Sequence, residues 1–329
     1  MNNLSISEGT ESLPSVWCYD KIDTLVIPES LDIPHSDYNS PFASYEQRPF
    51  VWNYPTKWSG VRIGKIENHS PYLAVKDGVL YSADMTRLIY CFEERERFVV
   101  PDTVTTIEPY AFCLQKRLKS IMLHDGITFI GDAVFMACQS LREVTVPSKV
   151  KVIRADTFDG CSALSRVHLS EGLEGIGHCA FRQCRALKSI RLPETLKYVC
   201  GFEGCSALRE IEIPAGVERI RGFMFCDSLR KVLLHKGVKR IDGYAFRYCN
   251  NLKDINFPDG LEYIGERAFY HNSRLRYVEF KSNVTNIDQA AFACCPLLFK
   301  KFIRKPDDME IKDNAFIEDP GLDKYGFWD

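Results

Sequence analysis

The feature that most limits how this chain can fold is a leucine that returns at a fixed interval. Leu118, Leu141, Leu164, Leu187, Leu208, Leu229, Leu252, Leu275 and Leu298 are separated by 23 residues at every step but two, and those two are 21. Each anchor opens the same phrase, L-x-x-I-x-L/I-P-x-x-V-x-x-I-x-x-x-A-F-x-x-C. A unit of this size cannot bury its own apolar side, so its stability has to come from copies stacked against it. Length alone, 329 residues, would suggest two globular domains; the repeat replaces that expectation with a solenoid.

Each slot of the phrase has a physical reason. The L-x-x-I-x-L run alternates inward and outward side chains as a strand does. A proline such as Pro101, Pro147, Pro193, Pro214 or Pro258 then removes a backbone donor and ends the strand. Apolar pairs three residues apart, Val104 with Ile107 or Leu261 with Ile264, point a second apolar patch back inward. The phenylalanine slot predicts a continuous ring ladder of Phe112, Phe135, Phe158, Phe181, Phe202, Phe225, Phe246, Phe269, Phe292 and Phe316. Three residues before most anchors stands a cysteine (138, 161, 184, 205, 226, 249 and 295), with Gln115 and Asn272 as exceptions. A small polarizable side chain or an amide suits a buried bend. The two short repeats read as compressed at different places, Val199 to Phe202 in one and Phe225 to Leu229 in the other.

On these slots the chain resembles the leucine-rich repeats of BspA-like bacterial surface antigens, over residues 98–316. The resemblance implies a right-handed repeat solenoid, mainly β, with a parallel sheet on its concave face and an irregular or short helical convex side. It also implies binding rather than catalysis, and members of that family are often exported. Around the solenoid the sequence divides into an irregular N-terminal cap or extension (1–71), a β-meander cap (72–97) and a C-terminal cap (317–329). Within the first of these, Ile22, Leu25, Ile27 and Leu31 match half a repeat before the register is lost, which suggests a degenerate outer turn. In the meander, Asp77-Gly78 sits between alternating apolar and polar residues, a hairpin signal.

Charge removes several function classes. Lys and Arg number 42 against 44 Asp and Glu, so there is no field to recruit nucleic acid. No apolar run reaches the length of a transmembrane helix. Phosphate-binding G-x-x-x-x-G-K-[ST], H-E-x-x-H and C-x-x-C are all missing, so neither an enzyme, a metal nor a cofactor is expected. The thirteen cysteines fall mostly in one repeat slot and read as reduced core residues. With no basic and apolar leader at the start, the reading is a cytoplasmic chain; a cell-surface or secreted one is the alternative if a leader was removed.

What remains is a binding surface. On each main strand two outward residues flank the buried one, and they have no packing duty. Arg166, His168 and Arg191 make a basic patch next to Glu210 and Glu212, and these five are the expected partner contacts. A protein is the expected partner, on an extended surface of the kind solenoids offer. The alternative is an exported adhesin or structural protein that binds host matrix or glycan.

Overall fold

The structure is a computed structural model that describes residues 3–9, 21–33, 62–281, 284–298, 303–306, 311 and 313–316. The C-terminal cap expected over 317–329 and the aromatic-rich stretch at 34–61 lie outside the described residues. The chain divides into two compact units, Met1–Cys184 and Arg185–Asp329, and each is a β-solenoid built by the same rules.

In the first unit, strands Asn3–Ser5, Lys21–Ile27 and Arg62–Asn68 run parallel in chain order. Ile22, Leu25, Ile27 and Leu31 are wholly buried and pack with Leu80, Tyr90 and Phe92. Next, Leu73–Lys76 and Val79–Ser82 form an antiparallel hairpin whose two-residue loop, Asp77-Gly78, has φ of 49° and 66°. Left-handed backbone at both loop positions matches the twist of the strands it joins. Arg87–Cys91 pairs antiparallel with Val79–Ser82 on one side and parallel with Thr106–Ile107 on the other. That one strand turns the meander into the coil.

Most full turns then contribute two strands; the turn that contains Leu187 contributes only Tyr198–Val199, so Arg191, expected on a main strand, lies in a segment without strand. The main sheet of the first unit is Arg97–Val99, Ser120–Met122, Glu143–Thr145 and Arg166–His168, all parallel. Two-residue strands such as Thr106–Ile107 and Phe129–Ile130 build a second sheet. In the second unit the main strands are Glu210–Ile213 with Lys231–Leu234, and Asp254–Asn256 with Tyr277–Glu279 and Ile303–Arg304. Its second sheet runs from Tyr198–Val199 through Arg219–Ile220, Arg240–Ile241 and Tyr263–Ile264 to Asn286–Ile287.

The third side of the coil is neither strand nor helix; a 3-10 turn at Asp313–Ala315 is the one helical element among the described residues. It is nonetheless a ladder. Tyr110, Phe112 and Leu114 donate their backbone N–H to the carbonyls of Asp132, Val134 and Met136 in the next turn, at 3.0, 2.9 and 2.7 Å. Tyr244, Phe246 and Tyr248 do the same to Glu266, Ala268 and Tyr270. The first and last residues of each triplet have positive φ, as at Tyr110 (64°), Leu114 (63°), Tyr244 (60°) and Tyr248 (59°), which swings alternate N–H groups the same way. Left-handed backbone costs a side-chain-bearing residue about 1–2 kcal/mol, and the inter-turn bonds offset it.

Behind this ladder the phenylalanines stack. In the first unit Phe112, Phe135, Phe158 and Phe181 follow at 5.6, 5.4 and 5.3 Å between centroids, with rings within 18° of parallel. In the second unit the ladder runs Phe202, Phe223, Phe246, Phe269, Phe292 and Phe316. Here the structure corrects the expected frame. Phe223, not Phe225, fills the slot: Phe223 is wholly buried, whereas Phe225 is 37 % exposed and stacks on Tyr248 outside the core. The fixed spacing is the one from phenylalanine to the cysteine three residues on, so Cys226 selects Phe223. Both short repeats are therefore compressed at the same place, between the second strand and the ring. Three positions separate Val199 from Phe202 and Ile220 from Phe223, where a full turn such as Ile153 to Phe158 has five. The tightened path runs through Gly201 and Gly222, at φ of 95° and 83°. A Cβ on Gly222 would lie 2.4 Å from the backbone nitrogen of Gly201.

The cysteine slot also has a specific task. Cys138, Cys161 and Cys184 each donate the thiol proton to the phenylalanine carbonyl one turn back, Phe112, Phe135 and Phe158, at 3.1, 3.0 and 3.2 Å. In the second unit Cys226, Cys249 and Cys295 do the same to Phe202, Phe223 and Phe269. Asn272 substitutes its Nδ2 and reaches Phe246 O at 3.0 Å and Phe269 O at 2.6 Å. The slot therefore selects for a small buried donor. Burial pushes the thiols of Cys91 and Cys295 up to about 12 and those of Cys138, Cys161 and Cys226 higher still. None of the described cysteines is in a disulfide.

Two stability measurements check these assignments. Asn272→Ala removes the 3.0 and 2.6 Å bonds to the Phe246 and Phe269 carbonyls, which keep only the longer bonds from Cys249 N and Cys295 Sγ, and is expected to cost about 1 kcal/mol in chemical denaturation, while Asn272→Cys restores the inter-turn bond and loses clearly less. Gly222→Ala is expected to destabilise by at least 1–3 kcal/mol, roughly the cost of a forced backbone, with Gly260→Ala not an equivalent control because its own Cβ would also strike backbone.

Candidate partner-binding surface

The alternation of the main strands decides which side chains are available. In the first unit Phe98, Ile121 and Val144 point inward and are buried. Register then lines up two outward rows. Arg97, Ser120, Glu143 and Arg166 sit opposite one another along the sheet, as do Val99, Met122, Thr145 and His168.

Of the residues expected to contact a partner, Arg166 and His168 lie on this surface and are exposed. They are not a simple basic patch, because both engage Glu143 on the neighbouring strand. Glu143 Oε2 accepts from Arg166 Nε and Nη2 at 2.9 and 2.6 Å, and its Oε1 lies 3.2 Å from His168 Nε2. The Arg166 guanidinium holds the Glu143 carboxyl below its usual range, and the His168 contact adds to this against a small desolvation. Charges on neighbouring strands thus pair within the first unit, with Glu143 as the acid.

Arg191, Glu210 and Glu212 belong to the second unit and are also exposed. Glu210 faces Lys231 and Glu212 faces Leu233 across the pair of main strands. Glu212 Oε1 is 3.0 Å from His235 Nε2, one turn on. Further along, Glu279 is held low by Lys281 at 2.9 Å.

Charge patterning missed the apolar part of the surface. Val99 is 64 % exposed and Met122 is 66 % exposed, and the two are direct cross-strand partners. Leu233, on the second unit, is 41 % exposed. Such side chains on a sheet with no structural need for them are what a partner would cover. Met122 is in the outward row by spacing alone; Val99 becomes legible once Arg97–Val99 is recognised as the first main strand.

Comparison with known proteins agrees with this construction. The profile of the BspA type leucine-rich repeat region matches in six copies over residues 89–201 and 200–322. The chain belongs to this family. Among solved structures, a leucine-rich repeat protein from Bacteroides ovatus ATCC 8483 aligns at 22 % identity and a TM-score of 0.51, covering 68 % of this chain and 67 % of that one. A leucine-rich repeat protein from Eubacterium ventriosum ATCC 27560 aligns at 25 % identity and a TM-score of 0.46, over 75 % of this chain and 58 % of its own length. The T. pallidum leucine-rich repeat protein aligns at 20 % identity and 0.39, over 70 % and 88 %. The first of these shows a shared fold. No curated protein matches the chain. Among the described residues no helix is long and apolar enough to cross a membrane.

The ion pair gives a pH signature. Glu143 is expected to titrate below exposed glutamates in a carbon-detected NMR titration, and Arg166→Ala should return it upward. Because the folded carboxyl is depressed, whatever the pair adds to stability is present above the unfolded value and is lost as pH falls through the folded one.

Proposed function

We propose that this BspA type repeat protein is a non-catalytic binding module that takes a protein partner on the outward rows of its main strands. The contacts assigned are Arg166 and His168 on the first unit and Glu210 and Glu212 on the second, together with the exposed Arg191, which lies on the strandless segment between Leu187 and Pro193. The observation that carries this reading is the exposed Val99–Met122 pair beside the Arg166–Glu143–His168 network. An apolar spot bordered by fixed charges is how specific interfaces are built: the apolar area supplies affinity and the charges set orientation.

Location bears on which partner is met. Buried thiols whose protons are committed to backbone carbonyls, and whose ionisation is pushed up, resist oxidation wherever the protein resides. Their reduced state therefore fits a cell-surface or secreted protein as well as a cytoplasmic one. That keeps the second reading in play, an exported protein that binds host matrix or glycan through the same surface. Fractionation of the native cell separates the two.

The test is capture from native cells and from the medium with the intact protein, Met122→Asp and the double reversal Arg166→Glu/Arg191→Glu, with folding checked by thermal melting. A partner on the main strands should be retained at least tenfold less by each variant. Equal retention by all three proteins would remove the function from this surface.

A further inference from the structure

The third side of the second unit carries side chains that neither the core nor the main strands use. In the slot just before each cysteine the side chain points outward, and there Phe225, Tyr248 and His271 succeed one another. Phe225 and Tyr248 stack at 5.0 Å and 9°, and His271 lies against Tyr248 at 4.8 Å. Beside them stands Arg247. Its guanidinium carbon is 5.6, 4.9 and 5.0 Å from the ring centres of Tyr244, Tyr248 and Tyr270.

Among the described residues Arg247 has no ion pair, unlike Arg267 one turn on, which reaches Glu266 at 2.7 Å. The Nε of Arg247 is buried without a hydrogen-bond partner, while its two Nη atoms reach solvent. The aromatic frame therefore fixes the plane of the guanidinium, strips water from its base and presents its two-nitrogen tip outward. A partly desolvated, pre-oriented fork of this kind is matched by a carboxylate, which accepts two parallel N–H bonds. Cation–aromatic contact holds the fork without neutralising it, as a carboxylate of the chain itself would.

We infer that this patch is a second binding site, separate from the main strands, and that it takes an acidic side chain of a protein partner through Arg247. The ring geometry favours a peptide over a sugar. Sugars stack on ring faces, but Tyr248 is enclosed by Phe225 on one side and His271 on the other, so it offers its edge. Ring edges carry the positive end of the quadrupole and attract carboxylate oxygens. Phe225, 37 % exposed, and the half-buried Met224 give an adjoining apolar side chain something to cover.

The experiment uses the full chain with ¹³C-labelled tyrosine and three probes: the peptide Ac-Glu-Leu-Glu-NH2, its neutral counterpart Ac-Gln-Leu-Gln-NH2, and glucuronate. The acidic peptide should shift the Tyr244 and Tyr248 resonances with an affinity at least tenfold above that of the neutral peptide, and weaken with added salt. Arg247→Gln should remove the difference between the two peptides. Arg247→Lys, which keeps the charge and loses the fork, should retain only part of it, and Arg230→Gln, on an exposed arginine near the main strands, should change nothing. Equal binding of both peptides, unchanged binding by Arg247→Gln in a protein that melts normally, or no shift at millimolar peptide would overturn the inference. A stronger response to glucuronate than to the acidic peptide would overturn it in favour of an acidic sugar.

Discussion

Backbone hydrogen bonds between successive turns, on all three sides of the coil, are the constraint from which the rest of the structure follows. Strands supply them on two sides, and the alternating left- and right-handed backbone around each phenylalanine supplies them on the third. Once turns are locked at strand spacing, about 4.8 Å, whatever occupies a slot in one turn lies directly against the same slot in the next. Flat rings tolerate that repetition by stacking with an offset, which is why the phenylalanine centroids stand 5.1–5.9 Å apart. Small donors tolerate it as well, each bonding to the carbonyl one turn back. A charged residue in either slot would meet its own copy with no partner.

That constraint also explains which parts of the fold were legible in the sequence. A slot whose occupant must match its neighbours leaves a periodic trace, so the anchor leucines, the ring ladder and the cysteine column could all be read. The Asp77-Gly78 loop was readable for a different reason, since its backbone conformation admits few residues. The misreading at Phe225 arose where two phenylalanines stand two positions apart in a shortened turn. Composition cannot choose between them, but the phenylalanine-to-cysteine spacing does, because the thiol must reach the carbonyl of the ring residue one turn back. The parallel pairing of Lys21–Ile27 with Arg62–Asn68 left no trace of this kind, since the intervening chain breaks the period.

The candidate site was harder to read because outward residues answer to no neighbour. Position could be inferred from strand alternation, and all five expected contacts are exposed. Pairing could not. Arg166 and His168 turn to Glu143, a residue whose significance lies in cross-strand register rather than in its place in the repeat. Exposed ion pairs of this kind contribute little to stability. Their effect is to hold side chains in fixed positions next to the apolar Val99–Met122 pair, which is the ordered array that the proposed partner would meet.

The third side shows how the same scaffold leaves room for variation at a structurally demanding position. The slot before the cysteine always has positive φ, which glycine adopts most readily, and Gly160 and Gly204 occupy it in two turns. Elsewhere it holds Leu114, Ala137, Gln183, Phe225, Tyr248, His271 and Cys294. The inter-turn bonds donated from this slot, such as Phe225 N to Arg247 O at 2.8 Å, are made by the backbone and do not depend on the side chain. Glycine would therefore satisfy the fold in every turn at lower conformational cost. Bulky aromatics gathered at consecutive turns of one unit, around an arginine with no carboxylate of its own, run against that local preference. Those side chains contact one another and Arg247 on the outer surface of the coil, and the acidic site proposed at Arg247 gives a reason for them that the backbone does not.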